Sequence, residues 1–376
     1  MTDLVHLLPL WNELRETGTE YVLATVVAVD GSGYRKPGAR MIIAADGRRA
    51  GTISGGCLEG DVARKAFWHT ENGPTVRRYS TAAEDGEVPF GMGCGGIIHL
   101  LLERSATANP LLQQLAQKFA ERQPMAVATV LDGDWIGQRT YWPAESSCGT
   151  AIAAKLSELA QQAFDSQHSF SQAIPAEDQQ IATVRSEWIA PRPGLFVFGA
   201  GDDAIPLVRQ AHQLGWYIAV ADGRAHLSTR ARFPEADDAF TLSPEDFPVQ
   251  IRPTDAAVIM THSLQQDTRI LGQLLNPQLA YLGVLGPRHR TNEILLALAS
   301  DLALPITEID QRIESWMERL HAPVGLDLGG DTPADIALAV IAEIQQNRHR
   351  ASGISLHQKR GQTLQNHSTE RNLLKR

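Results

Sequence analysis

The sequence predicts an α/β protein in which a C-terminal, Rossmann-like, doubly wound parallel sheet follows an N-terminal mixed α+β domain. Three observations carry that prediction. First, the apolar run 194–198 leads into Gly199-Ala200-Gly201-Asp202-Asp203-Ala204, then a helical stretch to about residue 215 and a second apolar run, 216–221, that ends on Asp222. This is the strand, G-x-G-x-x-A turn, helix, strand and acid of a dinucleotide-type βαβ unit. Second, strands and helices go on alternating after it, the pattern of a parallel sheet. Third, the first half instead holds short apolar strands broken by glycine-rich loops and hairpin turns. The 376 residues suit two domains, placed at 1–190 and 191–346 with Pro191-Arg192-Pro193 as the joint, and a basic tail at 347–376.

The elements follow in order. Residues 4–16 set leucines and Trp11 among polar side chains at helical spacing, with the helix begun or kinked at Pro9. Residues 21–29 are a solid β-branched and apolar run, read as a buried strand. Gly31-Ser32-Gly33-Tyr34-Arg35-Lys36-Pro37-Gly38-Ala39-Arg40 breaks it. A strand resumes over 41–45, turns at Asp46-Gly47 and returns over 49–54. A helix runs from 57 to about 69, followed by a strand at 76–79, an acidic glycine-rich loop at 82–91 and a strand at 97–103. A helix over 109–122, a strand over 125–131, the turn Asp132-Gly133-Asp134, a helix over 150–164 and a polar loop over 165–180 complete the first domain. In the second, 256–260 and 281–285 are strands, each followed by a helix, over 265–275 and to about 300. Thr332, Pro333 and Asp335 cap a last helix running to about 346, with proline where no N–H is needed. The tail is rich in Lys and Arg, has Glu370 as its one acid, and is expected to be flexible or to bind a partner.

Two stretches stand out chemically. Gly55-Gly56-Cys57 places a cysteine at a helix N-terminus, among unpaired N–H donors and at the positive end of the helix dipole, where thiolate is favoured. Gly93-Cys94-Gly95-Gly96 repeats the theme ahead of the strand at 97, and glycines let a bulky ligand approach the backbone. The plain alternative is that each cysteine is a small buried hydrophobe beside a turn. Cys148, in Ser-Ser-Cys-Gly, is expected to be structural. Arg35, Lys36 and Arg40 lie on a loop of small residues that suits an anionic group such as a phosphate, or else form a solvated basic turn. In the second half, Gly199, Gly201 and Asp222 are the residues a dinucleotide would use, and His262, Asp267, Arg288 and Arg290 fall at strand ends that line the crevice of such a sheet. Asp202 and Asp203 would repel a pyrophosphate on the same helix end, so an architectural role for the motif stays open.

Bulk properties exclude several classes. The net charge of −9 argues against a general nucleic-acid binder. No apolar run approaches a membrane span. Residues 1–16 lack the basic-then-apolar pattern of a secretory leader, and three cysteines do not make a disulfide framework, so a reducing cytoplasm is expected. Two cysteines cannot close a tetrahedral zinc site, and no C-x-x-C spacing occurs.

Taken as a set, these motifs resemble one family. Gly31-Ser32, Arg35 through Met41, Gly51 through Glu59, Gly93 through Gly96, Phe198 through Gly201, Met260-Thr261-His262, Tyr281 through Gly286, and Pro323 through Asp327 before Thr332-Pro333 are similar to the XdhC/CoxI family, the maturation factors of molybdenum hydroxylases. The likeness is thin over 104–190 and absent from the tail. Where many relatives carry histidine after the last glycine of the Rossmann loop, this chain has Asp202. The resemblance implies a chaperone rather than a conventional enzyme. It would bind molybdenum cofactor (molybdopterin), shield it, support its sulfuration by a cysteine desulfurase and pass it to the large subunit of an apo molybdenum hydroxylase. It makes Cys57 and Cys94 the candidate cofactor and metal contacts, among Gly55, Gly56, Gly95 and Gly96, and soft thiolates do suit a sulfur-bound molybdenum. Arg35, Lys36 and Arg40 would face the pterin phosphate, and a homodimer is expected because the N-terminal domain is small and loop-rich for such a cargo. Two other readings stay open: an NAD(P)-dependent oxidoreductase with His262 as acid/base, and a sulfur carrier with a persulfide on Cys57.

Overall fold

Two units make up the chain, Met1–Arg192 and Pro193–Arg376. The computed structural model describes residues 4–31, 33–80, 96–143, 151–175, 181–243, 250–275 and 279–359. The first unit runs α1 (Leu4–Thr17), β1 (Tyr21–Asp30), β2 (Arg40–Ala44), β3 (Arg49–Gly51), α2 (Cys57–His69), β4 (Thr75–Ser80), β5 (Ile97–Arg104), α3 (Ser105–Ala120), β6 (Met125–Val130), β7 (Arg139–Trp142), α4 (Ala151–Ser166), β8 (Phe170–Pro175) and β9 (Ile181–Ile189). It holds two antiparallel sheets, a five-stranded one in the order β3-β2-β1-β5-β4 and a four-stranded one in the order β7-β6-β9-β8.

The unbroken apolar run of β1 follows from cover on both faces. Tyr21 and Leu23 pack with Leu7, Trp11 and Leu112 of α1 and α3. The alternate residues Val22, Ala24 and Val26 pack with Leu58, Val62 and Ala66, which α2 supplies. A strand buried on both sides has no polar face to show. Tyr21 Oη and Trp11 Nε1 both donate to Asn109 Oδ1, at 2.6 and 3.0 Å, so two large side chains are buried with their polar tips satisfied. On the second sheet, Leu156 and Leu159 of α4 cover Ala128, Val130 and Val184.

Charged side chains join the two sheets. Arg40 at the start of β2 reaches Glu187 in β9. Glu103 in β5 meets Arg139 in β7, with 0% and 6% of these side chains exposed. Burial pushes the Glu103 carboxyl up and the Arg139 guanidinium pulls it back.

The second unit runs β10 (Gly194–Phe198), α5 (Ala204–Gln213), β11 (Tyr217–Asp222), β12 (Asp238–Thr241), β13 (Ala256–Ile259), α6 (Leu264–Leu274), β14 (Tyr281–Val284), α7 (Arg288–Asp301), α8 (Ile306–Met317) and α9 (Pro333–His349). Among the described residues all its strand pairs are parallel and the order is β12-β11-β10-β13-β14, the doubly wound Rossmann arrangement. Leu195 and Val197 face α5 and α9, while Phe196 and Phe198 face α6, α7 and α8. The α9 cap is the expected box: Asp335 N donates to Thr332 Oγ1 at 3.2 Å and Thr332 N to Asp335 Oδ2 at 3.3 Å.

Several elements depart from the expected ones. The polar stretch 165–180 contains strand β8, whose side chains are exposed except for Ile174 and the half-buried Phe170. An edge strand with one buried side chain carries no hydrophobic periodicity to read. The same holds for β12, with no side chain fully buried, whereas α8 is an unanticipated helix whose Ile309, Ile313, Trp316 and Met317 pack on the core at helical spacing. Helix α3 begins at Ser105 rather than 109, taking Pro110 into its second turn.

Replacing Arg139 alone by leucine should lower the stability of the first unit by about 3–5 kcal/mol, because the buried Glu103 carboxylate then loses its hydrogen-bonded counter-ion. Replacing both residues by leucine should recover most of the loss. Urea unfolding of the full-length chain, followed by circular dichroism, measures both.

Candidate functional site

Antiparallel pairing determines where the loops of the first unit gather. Asp30 ends β1 opposite Ile97, which opens β5, and Ile97 also pairs with Ser80, the last residue of β4. Arg40 opens β2 opposite Thr25, and Gly51 ends β3 opposite Met41. The basic loop after β1, the loop from β3 into α2, and the two strand ends that flank 81–96 therefore all leave one end of one sheet. Cys94 and Gly95, like the acidic loop at 82–91, lie outside the described residues, and so does Cys148; Gly96 stands just ahead of β5.

Cys57 is the first residue of α2, behind Gly56 as cap, and Gly55 and Gly56 are exposed. What holds this turn is Glu59. Its carboxylate accepts from Ser54 N at 2.7 Å, Ser54 Oγ at 2.5 Å, Gly56 N at 2.9 Å and Ile53 N at 3.2 Å. Burial alone would raise the Glu59 carboxyl; the hydrogen bonds from Ser54 and from the backbone outweigh it and keep the group below the usual carboxylate range. The negative charge sits in the first helical turn, so it also answers part of the dipole that favours thiolate at Cys57. Sequence reading passed over Glu59 as a functional residue, although its place three residues after the cap is the capping-box spacing.

The three cations of the basic loop part company. Arg40 is buried, with Nη1 donating to Glu187 Oε1 at 3.2 Å and to Gly38 O at 3.0 Å, and Nη2 donating to Glu187 Oε2 at 2.5 Å. This corrects the expectation that Arg40 faces a phosphate: a bidentate carboxylate already occupies its fork. Gly38 allows that closure, since its φ is 98° and a Cβ there would stand 2.8 Å from Glu187 Oε1. Arg35 is half-buried and Lys36 exposed, and both line an open cleft of about 630 Å³ together with Pro37 and the half-buried Trp188. Tyr34 joins this cleft to the cysteine loop, because a Cβ on Gly55 would lie 3.9 Å from Tyr34 Cγ.

In the second unit the strand order reverses between β10 and β13, and the crevice lies at their carboxyl ends. Gly199 is held there by close approach, with φ at 126° and a hypothetical Cβ 2.3 Å from Met260 O. Gly201 precedes Asp202, which pairs with Arg232 at 2.7 Å, and Asp203, whose Oδ2 lies 2.8 Å from His262 Nε2. His262 adopts a left-handed backbone, φ 62°. Asp267 is buried, binding Thr261 and, at 2.6 Å, Arg290; Arg288 is exposed at the start of α7. Asp222 is fully buried. Its carboxylate accepts from Ala200 N at 2.8 Å and from Arg224 N, Nε and Nη2 at 2.8, 3.0 and 2.9 Å. Burial would raise it, but the Arg224 side chain and the two backbone donors hold it below the ordinary range. The acid expected to receive a ribose is instead closed on its own glycine loop, which corrects the reading of Asp222 as a dinucleotide contact. Among the described residues, no group of three or more metal-ligating side chains stands together, and no helix is long and apolar enough to cross a membrane.

Comparison with known proteins agrees with this arrangement. Family profiles match residues 14–80, as the XdhC and CoxI family, and residues 195–344, as the XdhC Rossmann domain. A probable xanthine dehydrogenase subunit of Bacillus subtilis (strain 168) is 33% identical over 349 residues, 90% of this chain and 96% of its own length. The chain belongs to the XdhC and CoxI family. Within it, the molybdenum cofactor insertion chaperone PaoD of Escherichia coli (strain K12) is 25% identical over 341 residues, 88% of this XdhC/CoxI chain and 85% of PaoD. The crystal structure of a xanthine dehydrogenase from Bacillus halodurans superposes with a TM-score of 0.68 at 29% identity, covering 93% of this XdhC/CoxI chain and 97% of that one.

Exchanging Glu59 for glutamine should destabilise this XdhC/CoxI protein at neutral pH by about 1–3 kcal/mol, as the buried donors lose a charged acceptor. The Glu59 pKa is lowered by folding, so its contribution is present above the unfolded carboxylate pKa and is lost as pH falls through the folded value. The gap between wild type and variant should therefore close on acidification, as measured by urea unfolding at a series of pH values.

Proposed function

We propose that this protein binds molybdenum cofactor in its first unit, shields it, and delivers it to an apo molybdenum hydroxylase of the xanthine dehydrogenase kind. The observation that carries the reading is the common sheet end, where a loop bearing Arg35 and Lys36 lies against the glycine turn that opens on Cys57. The cargo is a pterin with a phosphate at one end and a sulfur-bound molybdenum at the other. Lys36 and Arg35 answer the phosphate by charge-assisted hydrogen bonds. Cys57, joined by Cys94 from the segment between β4 and β5, supplies thiolates matched to a soft metal centre. Gly55, Gly56, Gly95 and Gly96 leave the backbone open to a large cargo. Such thiols work where they stay reduced, a condition the cytoplasm meets.

Two partners and a second copy complete the proposal. A cysteine desulfurase supplies sulfur to the held cofactor, the large subunit of the hydroxylase receives it, and a homodimer presents it. In the second unit, Gly199, Gly201 and Asp222 act as architecture, and His262 with Asp203 lies at the carboxyl ends of β10 and β13. That placement supports a scaffold more than an NAD(P)-dependent oxidoreductase, because Asp222 is held by Arg224 and Ala200 N.

The test uses full-length protein, kept anaerobic, and molybdenum cofactor, metal included, released from a denatured hydroxylase. Wild type should bind it, and Cys57→Ala and Cys94→Ala should each weaken uptake by about tenfold or more, a loss of about 1.4 kcal/mol. Unchanged binding in both variants removes the thiols from the site. Failure of wild type to bind removes the cofactor reading altogether.

A further inference from the structure

We infer that Tyr34 is the platform on which the planar ring of the cargo stacks, so that the cleft beside it is a ring-and-anion site. The inference rests on the cofactor-binding reading above and names a residue that reading does not use. Tyr34 is 73% exposed, an aromatic side chain left in solvent rather than in any core of its unit. It precedes Arg35 and Lys36 directly, and all three line the cleft of about 630 Å³, a size that suits a cofactor-sized ligand. The lining also includes Pro37 and Trp188, both half-buried, which give the cleft apolar surface beside the ring.

The loop is fastened on the far side of the platform, over residues 36–40. Gly38 N donates to Val26 O at 2.8 Å, Val26 N to Ala39 O at 2.9 Å, and Ala39 N to Lys36 O at 3.2 Å. Arg40 locks the loop's end to Glu187. A tyrosine beside that fastened stretch has few side-chain torsions to lose on binding, which is why such residues serve as contact surfaces. On its other side Tyr34 borders Gly55, which offers no side chain to cover the ring and leads directly to Cys57. The order along the site is then anion at Lys36 and Arg35, ring on Tyr34, sulfur end toward the cysteine turn. The chemical class so defined is a flat heteroaromatic ring bearing a phosphate, which pterin phosphates and purine nucleotides share.

The experiment measures dissociation constants by anaerobic equilibrium dialysis of the full-length protein with three probes: molybdopterin, 6-hydroxymethylpterin, which has the ring without the phosphate, and GMP. Tyr34→Ala should weaken both pterins by about tenfold, the scale of one lost ring-stacking contact. Tyr34→Phe, which keeps the ring, should bind as wild type does, and Lys36→Ala should weaken molybdopterin but not 6-hydroxymethylpterin. GMP should bind far more weakly than molybdopterin. If wild type binds molybdopterin and Tyr34→Ala binds it equally well, the platform is wrong and the chaperone reading stands. If GMP binds as tightly as molybdopterin, the assignment to a pterin falls, and if wild type binds no molybdopterin, both readings fall. Because Tyr34 is exposed, its variants should keep the wild-type circular dichroism spectrum, so a change in affinity reads the site.

Discussion

One guanidinium organises the first unit. Arg40 begins β2 and grips Glu187 of β9 with both ends of its fork, so the two antiparallel sheets meet through a bond of fixed geometry. The geometry has consequences on both sides. Toward the interior it stands beside the Glu103–Arg139 pair, which ties the same two sheets a second time. Toward solvent it fixes the end of the basic loop, leaving Lys36 and the half-buried Arg35 along an open cleft. Burial thus sorts three neighbouring cations into one that builds the wall and two that face what the wall encloses.

The cysteine turn depends on a second carboxylate used in a similar way. Glu59 reaches back from the first turn of α2 and gathers donors from Ile53, Ser54 and Gly56. A glycine pair would otherwise leave this turn with wide conformational freedom. The result is an open turn with a defined shape, with exposed glycines and no side chain between Gly55 and Tyr34. Antiparallel pairing then brings this turn, the basic loop and the strand ends flanking 81–96 to the same end of the sheet. Proximity here is a property of strand direction, independent of any single contact.

How much of this was legible in the sequence depended on how local each signal is. The βαβ unit around Gly199 and Gly201, the helix start at Cys57 and the Thr332–Asp335 cap are written within a few residues, and each is found where expected. The apolar run of β1 announced a strand buried on both faces. The role of Arg40 was not readable, because its partner lies 147 positions away and Glu187 has no local pattern of its own. Asp222 stood at the right spacing for a ribose acid, yet Arg224, two residues on, turns its carboxylate inward. Strands β8 and β12 bury too little to leave a periodic trace. Fold followed from periodicity and turn chemistry, whereas the assignment of individual charges needed the third dimension.

Asp222 has one more consequence. A carboxylate that fastens Ala200 N from within does for the glycine loop what a bound pyrophosphate does in proteins that use this architecture for dinucleotides. The clasp is part of the chain and is present from the moment β10 and β11 pair. Maturation of this half therefore need not wait for a small molecule to shape the loop.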